Sequence, residues 1–394
     1  MRAVLACAAA AVAGLSLAGV PPTAVAAPTG LVLGTALPDT GSLREYGPAT
    51  QAAVRLAVQD INAAGGVAGT KVTLYAGNSG DVDARVFAGT VDRLREKGVH
   101  ALVGPLSSDL LLDNLDEVSG LTVISPAAMS DRLTGKAYRV VPPESMQGGV
   151  LATLAVEDGV RRLAIVARNS SRAAAEEAAR VAREAGIPRR IVSYPDRTSR
   201  LQKFADEVTS YRPDSIVFVS GPETGNLLSL LLRQGIPTRL YFGATAGAAA
   251  ADGDLPRGTL QGAKMVDVDL RVDGYFGDQI EALAPKAPTL EFSPQAYQAT
   301  VILALAAEQA AREGDITAQA IADNIPAVTS GGRRCQSAAT CLVLISQGID
   351  IAYDGPLGPL PLKANGNPAS ASFAISTFGS GNKPFGRPRY VRWP

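Results

Sequence analysis

The sequence predicts an α/β fold of two doubly wound parallel-sheet lobes, and three observations carry that expectation. Strand-like and helix-like runs alternate from residue 31 to residue 243. The strand-like runs are continuous Val/Ile/Leu stretches rather than apolar–polar alternations, as expected of strands covered by helices on both faces. The alternation stops at Val141-Pro142-Pro143 and then restarts, so a chain of 394 residues holds two such units.

In the first unit, Leu31-Val32-Leu33-Gly34 reads as a buried strand. In the helix after it, Val54, Ala57, Val58 and Ile61 recur at i, i+3, i+4 and i+7, and Asn62 with Gly65-Gly66 closes the run. Residues 71–75 read as the next strand, 81–97 as a helix and 101–104 as a strand; a helix begins near Ser107, and 121–125 is a fourth strand. The second unit runs strand 163–167, helix 172–185, strand 191–194, helix 201–211, strand 215–220, helix 223–234 and strand 240–243. Beyond Gly262 a strand at 263–268 precedes long helices at 275–283 and 294–312. These bring no new run of sheet strands and are expected to pack back onto the first lobe. A strand pair at 373–377 and 389–393 ends the chain. The expected division is a signal peptide at 1–26, a first lobe of 27–141 with 269–352, and a second lobe of 142–268 with 353–394.

Composition removes several function classes. The 37 Lys+Arg balance 37 Asp+Glu, leaving no basic surplus for nucleic acid. One histidine, His100, cannot serve both a Ser-His-Asp triad and a His-rich metal site. Three cysteines cannot complete a four-thiolate zinc site or an iron–sulfur cluster, so no cofactor or metal is implied. Arg2, an alanine-rich apolar run to Val20, Pro21-Pro22 and Ala24-Val25-Ala26 form a secretory signal peptide, which implies a secreted, cell-envelope-associated protein. Val4-Leu5-Ala6-Cys7 looks like a lipoprotein box, but nothing hydrophobic precedes it, so a lipid anchor is the lesser reading. Once Cys7 is removed, Cys335 and Cys341 in the loop GGRRCQSAATC read as a short disulfide; their spacing is not the C-x-x-C of a redox dithiol.

Ligands of open parallel sheets bind beyond the carboxyl ends of the strands. The loops there run from Gly34 to Tyr46, Gly104 to Ser108, Ser125 to Ser130, Asn169 to Arg172, Ser220 to Glu223 and Gly243 to Thr245, and are rich in small and hydroxylic residues. Ser107-Ser108 can offer backbone N–H groups and a hydroxyl to an anion, although any one such loop is also an ordinary cap or turn. No G-x-G-x-x-G follows a strand, and neither a G-x-x-x-x-G-K-[ST] loop nor a G-x-S-x-G elbow is present. His100 precedes its strand, at the end opposite the ligand loops, which strains a hydrolase built on Ser108 and His100. The pairs Asp252/Asp254 and Asp267/Asp269 read as solvated loop and strand-edge acids. No enzyme is expected.

The stretch LVLGTALPDTGSLREYGPATQAAVRLAVQDINAAGGVAGTKVTL resembles the opening of the type I periplasmic-binding proteins, in their leucine/isoleucine/valine-binding branch. ALVGPLSSD, LTVISPAAMSDRLT and IAYDGPLGPLPLKANGNPAS are similar to later segments of that family, in the same order. The resemblance implies two lobes joined by three crossovers, near Val140–Pro143, Val266–Val268 and Tyr353–Pro356. It further implies a small-molecule ligand held between the lobes by hinge closure, an ABC permease as partner, and a monomer. A ligand-sensing ectodomain without a transport role is the alternative.

By the same resemblance, Ser108, beside Ser107, receives a ligand carboxylate, and the backbone carbonyl of Ala127, beside Ala128, takes an ammonium. Tyr46 and Phe292 are the first-lobe aromatics. Met129 stands where the family has threonine, with Ser130 as a substitute, and Arg172 stands where it has tyrosine. Another family tyrosine falls near Gly221-Pro222. Thr245 replaces the acid that pairs the ammonium, and a buried ammonium without a carboxylate costs several kcal/mol. Glu223 would carry that charge one loop along. Arg172 would instead suit an added anionic group, such as a second carboxylate.

Overall fold

The computed structural model describes residues 30–81, 86–219, 221–235 and 239–393. The signal-peptide and lipid-anchor readings lie outside the described residues. The first lobe opens with β1 (Val32–Leu37), α1 (Gly47–Ala63), β2 (Thr73–Asn78), α2 (Val86–Glu96), β3 (Ala101–Val103), α3 (Ser108–Asp113), β4 (Thr122–Ser125) and β5 (Tyr138–Arg139). They form a parallel sheet of order β2-β1-β3-β4-β5. β2 runs past the expected Tyr75 to Asn78 because it is an edge strand with no fully buried residue, which an apolar-run criterion cannot follow.

The second lobe holds α4 (Glu144–Glu157), β6 (Leu163–Arg168), α5 (Arg172–Glu184), β7 (Arg189–Tyr194), α6 (Leu201–Tyr211), β8 (Ser215–Phe218), α7 (Thr224–Leu232), β9 (Arg239–Gly243), α8 (Ala244–Ala251) and β10 (Lys264–Val268). Its strands show why the sequence ran continuously apolar. Ile165 and Ala167 of β6 face a core under α4 and α5, whereas Ala164 and Val166 face a second core under α6, α7 and α8. Both faces are covered, so both sets must be hydrophobic.

The chain then returns through α9 (Gly274–Leu283), α10 (Ser293–Glu313), α11 (Ala318–Thr329), β11 (Arg333–Cys335), α12 (Ala338–Ser346), β12 (Ile351–Gly355) and β13 (Gly358–Pro359). α10 is apolar nearly all round, with Ala296, Ala299, Val301 and Ile302 fully buried, so it lies inside the first lobe's core with α1, β1 and β3. The small sheet β11-β12-β13 was not anticipated. The Cys335–Cys341 disulfide is present and joins β11 to α12.

β14 (Ala371–Phe378) and β15 (Pro384–Trp393) complete the second sheet, whose order is β15-β14-β10-β9-β8-β6-β7. Both are antiparallel additions, and β15 is the outer strand with a register shift opposite Ile375–Thr377. The stretch expected to leave the first lobe at Tyr353–Pro356 stays with it longer. Tyr353, Leu360 and Leu362 pack in the first core, and the carbonyls of Asn365 and Gly366 accept from the N–H groups of Gly135 and Arg139.

Candidate functional site

Two first-lobe loops are stitched together by serine hydroxyls. After β3, Gly104 holds φ 112°, and a Cβ there would fall 2.2 Å from the Ala36 carbonyl oxygen, so only glycine fits this turn. Ser107 caps α3, its Oγ accepting from the Leu110 N–H at 3.2 Å. Ser108 Oγ accepts from the Ser130 N–H at 3.1 Å. At the end of β4 the fully buried Ser125 donates to the Pro105 carbonyl at 2.6 Å and accepts from Ala128 N–H at 2.9 Å and Ala127 N–H at 3.4 Å. The loops carrying Ser107, Ser108, Ala127, Ala128, Met129 and Ser130 are therefore one hydrogen-bonded unit.

Arg139 braces that unit from below. It is 1% exposed, and its Nη1 donates to the Ser130 carbonyl at 2.8 Å and the Ala128 carbonyl at 3.4 Å. Burial lowers its pKa to about 10, against the pull of Asp131 and Glu144. At the first crossover, Met129 accepts from the Glu144 N–H at 2.9 Å, so Met129 acts here through its backbone. Ser145 donates to the Asp131 carboxylate from its N–H at 2.9 Å and its hydroxyl at 2.5 Å. Burial pushes Glu144 up to about 7, opposed by a hydrogen bond from Ser171 and reinforced by Asp131 and Asp109.

Tyr46 and Phe292 meet edge to face, with ring centroids 5.3 Å apart at 72°. The Tyr46 hydroxyl pKa is raised by burial and then by Glu291, Glu45 and Asp267. Asp267 corrects an expectation. It is not a solvated strand-edge acid: burial pushes its carboxyl up to about 6, against a 2.7 Å bond from the Val268 N–H. Asp252 does behave as a surface acid, paired with Lys383 at 2.8 Å, whereas the Asp269 side chain is only 14% exposed and pairs with Arg271 at 2.6 Å, so it too departs from the solvated reading.

In the second lobe, the Arg172 guanidinium is engaged on its own helix. Its side chain is 75% exposed and pairs with Glu176 at 2.6 Å, one turn along α5, because a residue opening a surface helix reaches its i+4 neighbour most easily. Arg168 is the buried-side cation. Its guanidinium hydrogen-bonds the Asp196 carbonyl and lies 3.7 Å from the Asp196 carboxylate and 3.8 Å from that of Glu223. Glu223 also bonds the Tyr194 hydroxyl, while its Oε2 is buried without a hydrogen-bond partner. Gly221 is buried at φ 131°, and a Cβ there would meet the Tyr194 hydroxyl oxygen at 2.1 Å. Pro222 and Thr245 are exposed, Thr245 in the first turn of α8.

His100 accepts from the Val32 N–H through Nδ1 at 3.1 Å, and burial lowers its pKa, so it serves as a neutral strand tie. Among the described residues no cluster of His, Cys, Asp and Glu is suited to a metal. Sequence reasoning did not single out Ser125, Arg139, Glu144 or Arg168. Only Arg168 left a signal: a charge ending the apolar run Leu163 to Ala167, at the carboxyl end of a central strand.

Two α/β lobes, each presenting hydroxyl-rich loops beyond its parallel strands, define a two-lobed binding protein. Residues 31–377 match the family model described as periplasmic binding protein, and the chain belongs to that family. It is 27% identical over 240 residues to the Leu/Ile/Val-binding protein homolog 7 of Brucella melitensis biotype 1, covering 54% of this chain and 60% of that one. It is 33% identical over 109 residues to the Leu/Ile/Val-binding protein homolog 8 of Brucella abortus (strain 2308), 27% of each chain. The match thus spans about a quarter of one relative and under two thirds of the other. Among solved structures, the branched-chain amino acid transporter substrate-binding protein LivJ of Streptococcus pneumoniae, in complex with isoleucine, superposes with TM-score 0.61 at 20% identity, covering 92% of this chain and all of that one. A solute-binding protein of an ABC transporter from R. palustris, in complex with benzoate, superposes with TM-score 0.58 at 17% identity, covering 91% and 95%.

Proposed function

We propose that this chain is a secreted solute-binding protein that takes an amino acid or a related organic acid between its lobes and delivers it to an ABC importer, without catalysis. The observation that supports this reading is the stitched loop pair, in which Ser125 and Ser108 tie the loop of Ser107 and Ser108 to the loop that carries Ala127. A ligand carboxylate would bind at Ser108 and an ammonium at the Ala127 carbonyl, with the Tyr46–Phe292 pair flanking the apolar part. The ligands of the similar structures, isoleucine and benzoate, fall in the same size class and both carry a carboxylate.

The charge lacking at Thr245 would be supplied, on this reading, by Asp267, which lies near enough to Tyr46 to help raise its hydroxyl pKa. With Arg172 turned to Glu176, a second ligand carboxylate loses its support, and a monocarboxylate is favoured. Closure would rotate the lobes about crossovers at 140–143, 266–268 and 369–371, with 353–369 assigned to the first lobe. Ligand drives closure only by binding the closed form better.

A thermal-shift screen of ligand-stripped protein tests this. Neutral amino acids and small monocarboxylates are expected to raise Tm, by about 2.7 kcal/mol of stabilisation at a hundredfold excess over Kd. Loss of that shift in Ser108→Ala supports the site, and no shift from any member of the panel refutes the function.

A further inference from the structure

Among the described residues, Arg139 is the one charged side chain withdrawn from solvent, at 1% exposed. Its charge is only partly answered. Nη1 donates to the Ala128 and Ser130 carbonyls, while Nε and Nη2 have no hydrogen-bond partner. Two acids lie near enough to act on it, Asp131 and Glu144, and neither hydrogen-bonds it. Asp131 is turned to Ser145, and burial holds its carboxyl above the ordinary range in spite of Arg139. Glu144 sits near 7 and is part-protonated at neutral pH. A buried cation without a matched anion is costly to keep.

That cation is coupled to the ligand loop through one peptide. The Ala128 carbonyl, which accepts from Arg139, belongs to the peptide whose N–H is that of Met129. The peptide is trans, so its carbonyl and N–H point opposite ways, and the Met129 N–H points away from the guanidinium. Among the described residues this N–H has no hydrogen bond. Its neighbours on the loop are committed, the Ala128 N–H to Ser125 and the Ser130 N–H to Ser108. In a low-dielectric interior, a peptide whose carbonyl is held by a cation is polarised and donates more strongly at its other end. The cation's field, being buried, is also little screened by salt. The hydroxyls of Ser107 and Ser108 donate or accept equally well, so on their own they do not tell a carboxylate from an amide.

We propose that Arg139 is a positioning residue that sets the charge of the ligand: acting through the Ala128–Met129 peptide and not by contact, it reserves the first-lobe subsite for an ionised carboxylate over a neutral group of the same shape. The assignment rests on the carboxylate subsite proposed above, and it narrows the ligand class to acids, with their amides, esters and alcohols excluded.

Titration calorimetry of ligand-stripped protein with isoleucine and benzoate, each beside its amide, tests this. The wild type is expected to favour acid over amide by about a hundredfold or more. Arg139→Gln keeps a donor for the loop carbonyls and removes the charge. It should cut that preference about tenfold, through weaker acid binding with amide binding unchanged. Arg139→Lys keeps the charge and should hold the preference within about threefold of the wild type. A merely structural brace would weaken acid and amide alike and leave the preference where it was. Should Arg139→Gln fail to fold, Asp131→Asn carries the test from the other side. It still accepts from Ser145 but removes an opposing charge, and should raise the acid preference about threefold. A wild type that binds amide as tightly as acid, an Arg139→Gln protein with unchanged preference, or, in its absence, an Asp131→Asn protein whose preference does not rise overturns the proposal. If none of the four compounds binds, the carboxylate subsite falls and this inference with it; if the acids bind and the preference ignores Arg139, the inference alone fails.

Discussion

Ser125→Ala is the most direct test of the stitched loops. The hydroxyl is fully buried and bonds both loops, while alanine keeps the Cβ and adds no bulk. Its loss strips the Pro105 carbonyl of a 2.6 Å donor and the Ala128 N–H of a 2.9 Å acceptor; the 3.4 Å contact to Ala127 is too long to count for much. A buried group left unsatisfied costs about 1–3 kcal/mol, so two of them place the expected loss at about 2–6 kcal/mol. Urea denaturation followed by circular dichroism reads this as a lower midpoint at unchanged slope. Ser108→Ala is the matched control: it removes one 3.1 Å bond at a half-buried site and should cost about 1 kcal/mol or less while abolishing ligand binding. If Ser125→Ala unfolds within about 0.5 kcal/mol of the wild type, the loops are not held by this residue and the account of the site is wrong.

Four further outcomes follow from the charges and the disulfide. Glu144 sits near 7 in the folded protein against an ordinary 4.5, so folding favours its protonated form, and stability falls as pH rises from about 4.5 to about 7. Glu144→Gln should therefore gain about 2 kcal/mol at pH 8 and almost nothing at pH 4, measured by denaturation at the two pH values. Asp267, near 6 without ligand, must ionise to meet an ammonium; amino-acid affinity should drop several-fold between pH 7.5 and pH 5, and titration calorimetry of Asp267→Asn should show no such slope. Arg172→Ala should leave ligand affinity within about twofold, because it breaks only an exposed pair, whereas Arg168→Met, which strands Glu223 and Asp196, should weaken binding about tenfold. Replacing Cys335 and Cys341 by serine should cost about 2 kcal/mol through loop entropy, since the bridge closes only a six-residue separation; an unchanged Tm would show that β11 and α12 hold without it.

The architecture was legible wherever burial on both faces forces a composition. β6, β8 and β9 stand out as apolar runs because two cores demand it. α4 escaped notice for the opposite reason: it is apolar on most sides and carries Gly148-Gly149, so it shows neither a helical stripe nor high propensity. The long stay of residues 353–366 with the first lobe rests on backbone bonds from Asn365 and Gly366, and backbone bonds leave no mark on side-chain pattern. At the site, loops and hydroxyls could be placed by strand ends, but partnership could not. Whether Arg172 or Arg168 faces inward depends on a helix start that puts Glu176 within reach of one and Glu223 within reach of the other.

The outer strand β15 bears on how the molecule behaves among its own copies. An unpaired strand edge is a template for stacking further chains, and this one would extend a seven-stranded sheet. Its sequence blunts that hazard three times over. Pro384 and Pro388 remove backbone donors, Arg387, Arg389 and Arg392 repel an identical edge, and the register shift opposite Ile375–Thr377 bends the strand out of flatness. A crowded solution of this protein should stay free of sheet-to-sheet fibres, and the prolines and arginines of its last strand are what keep it so.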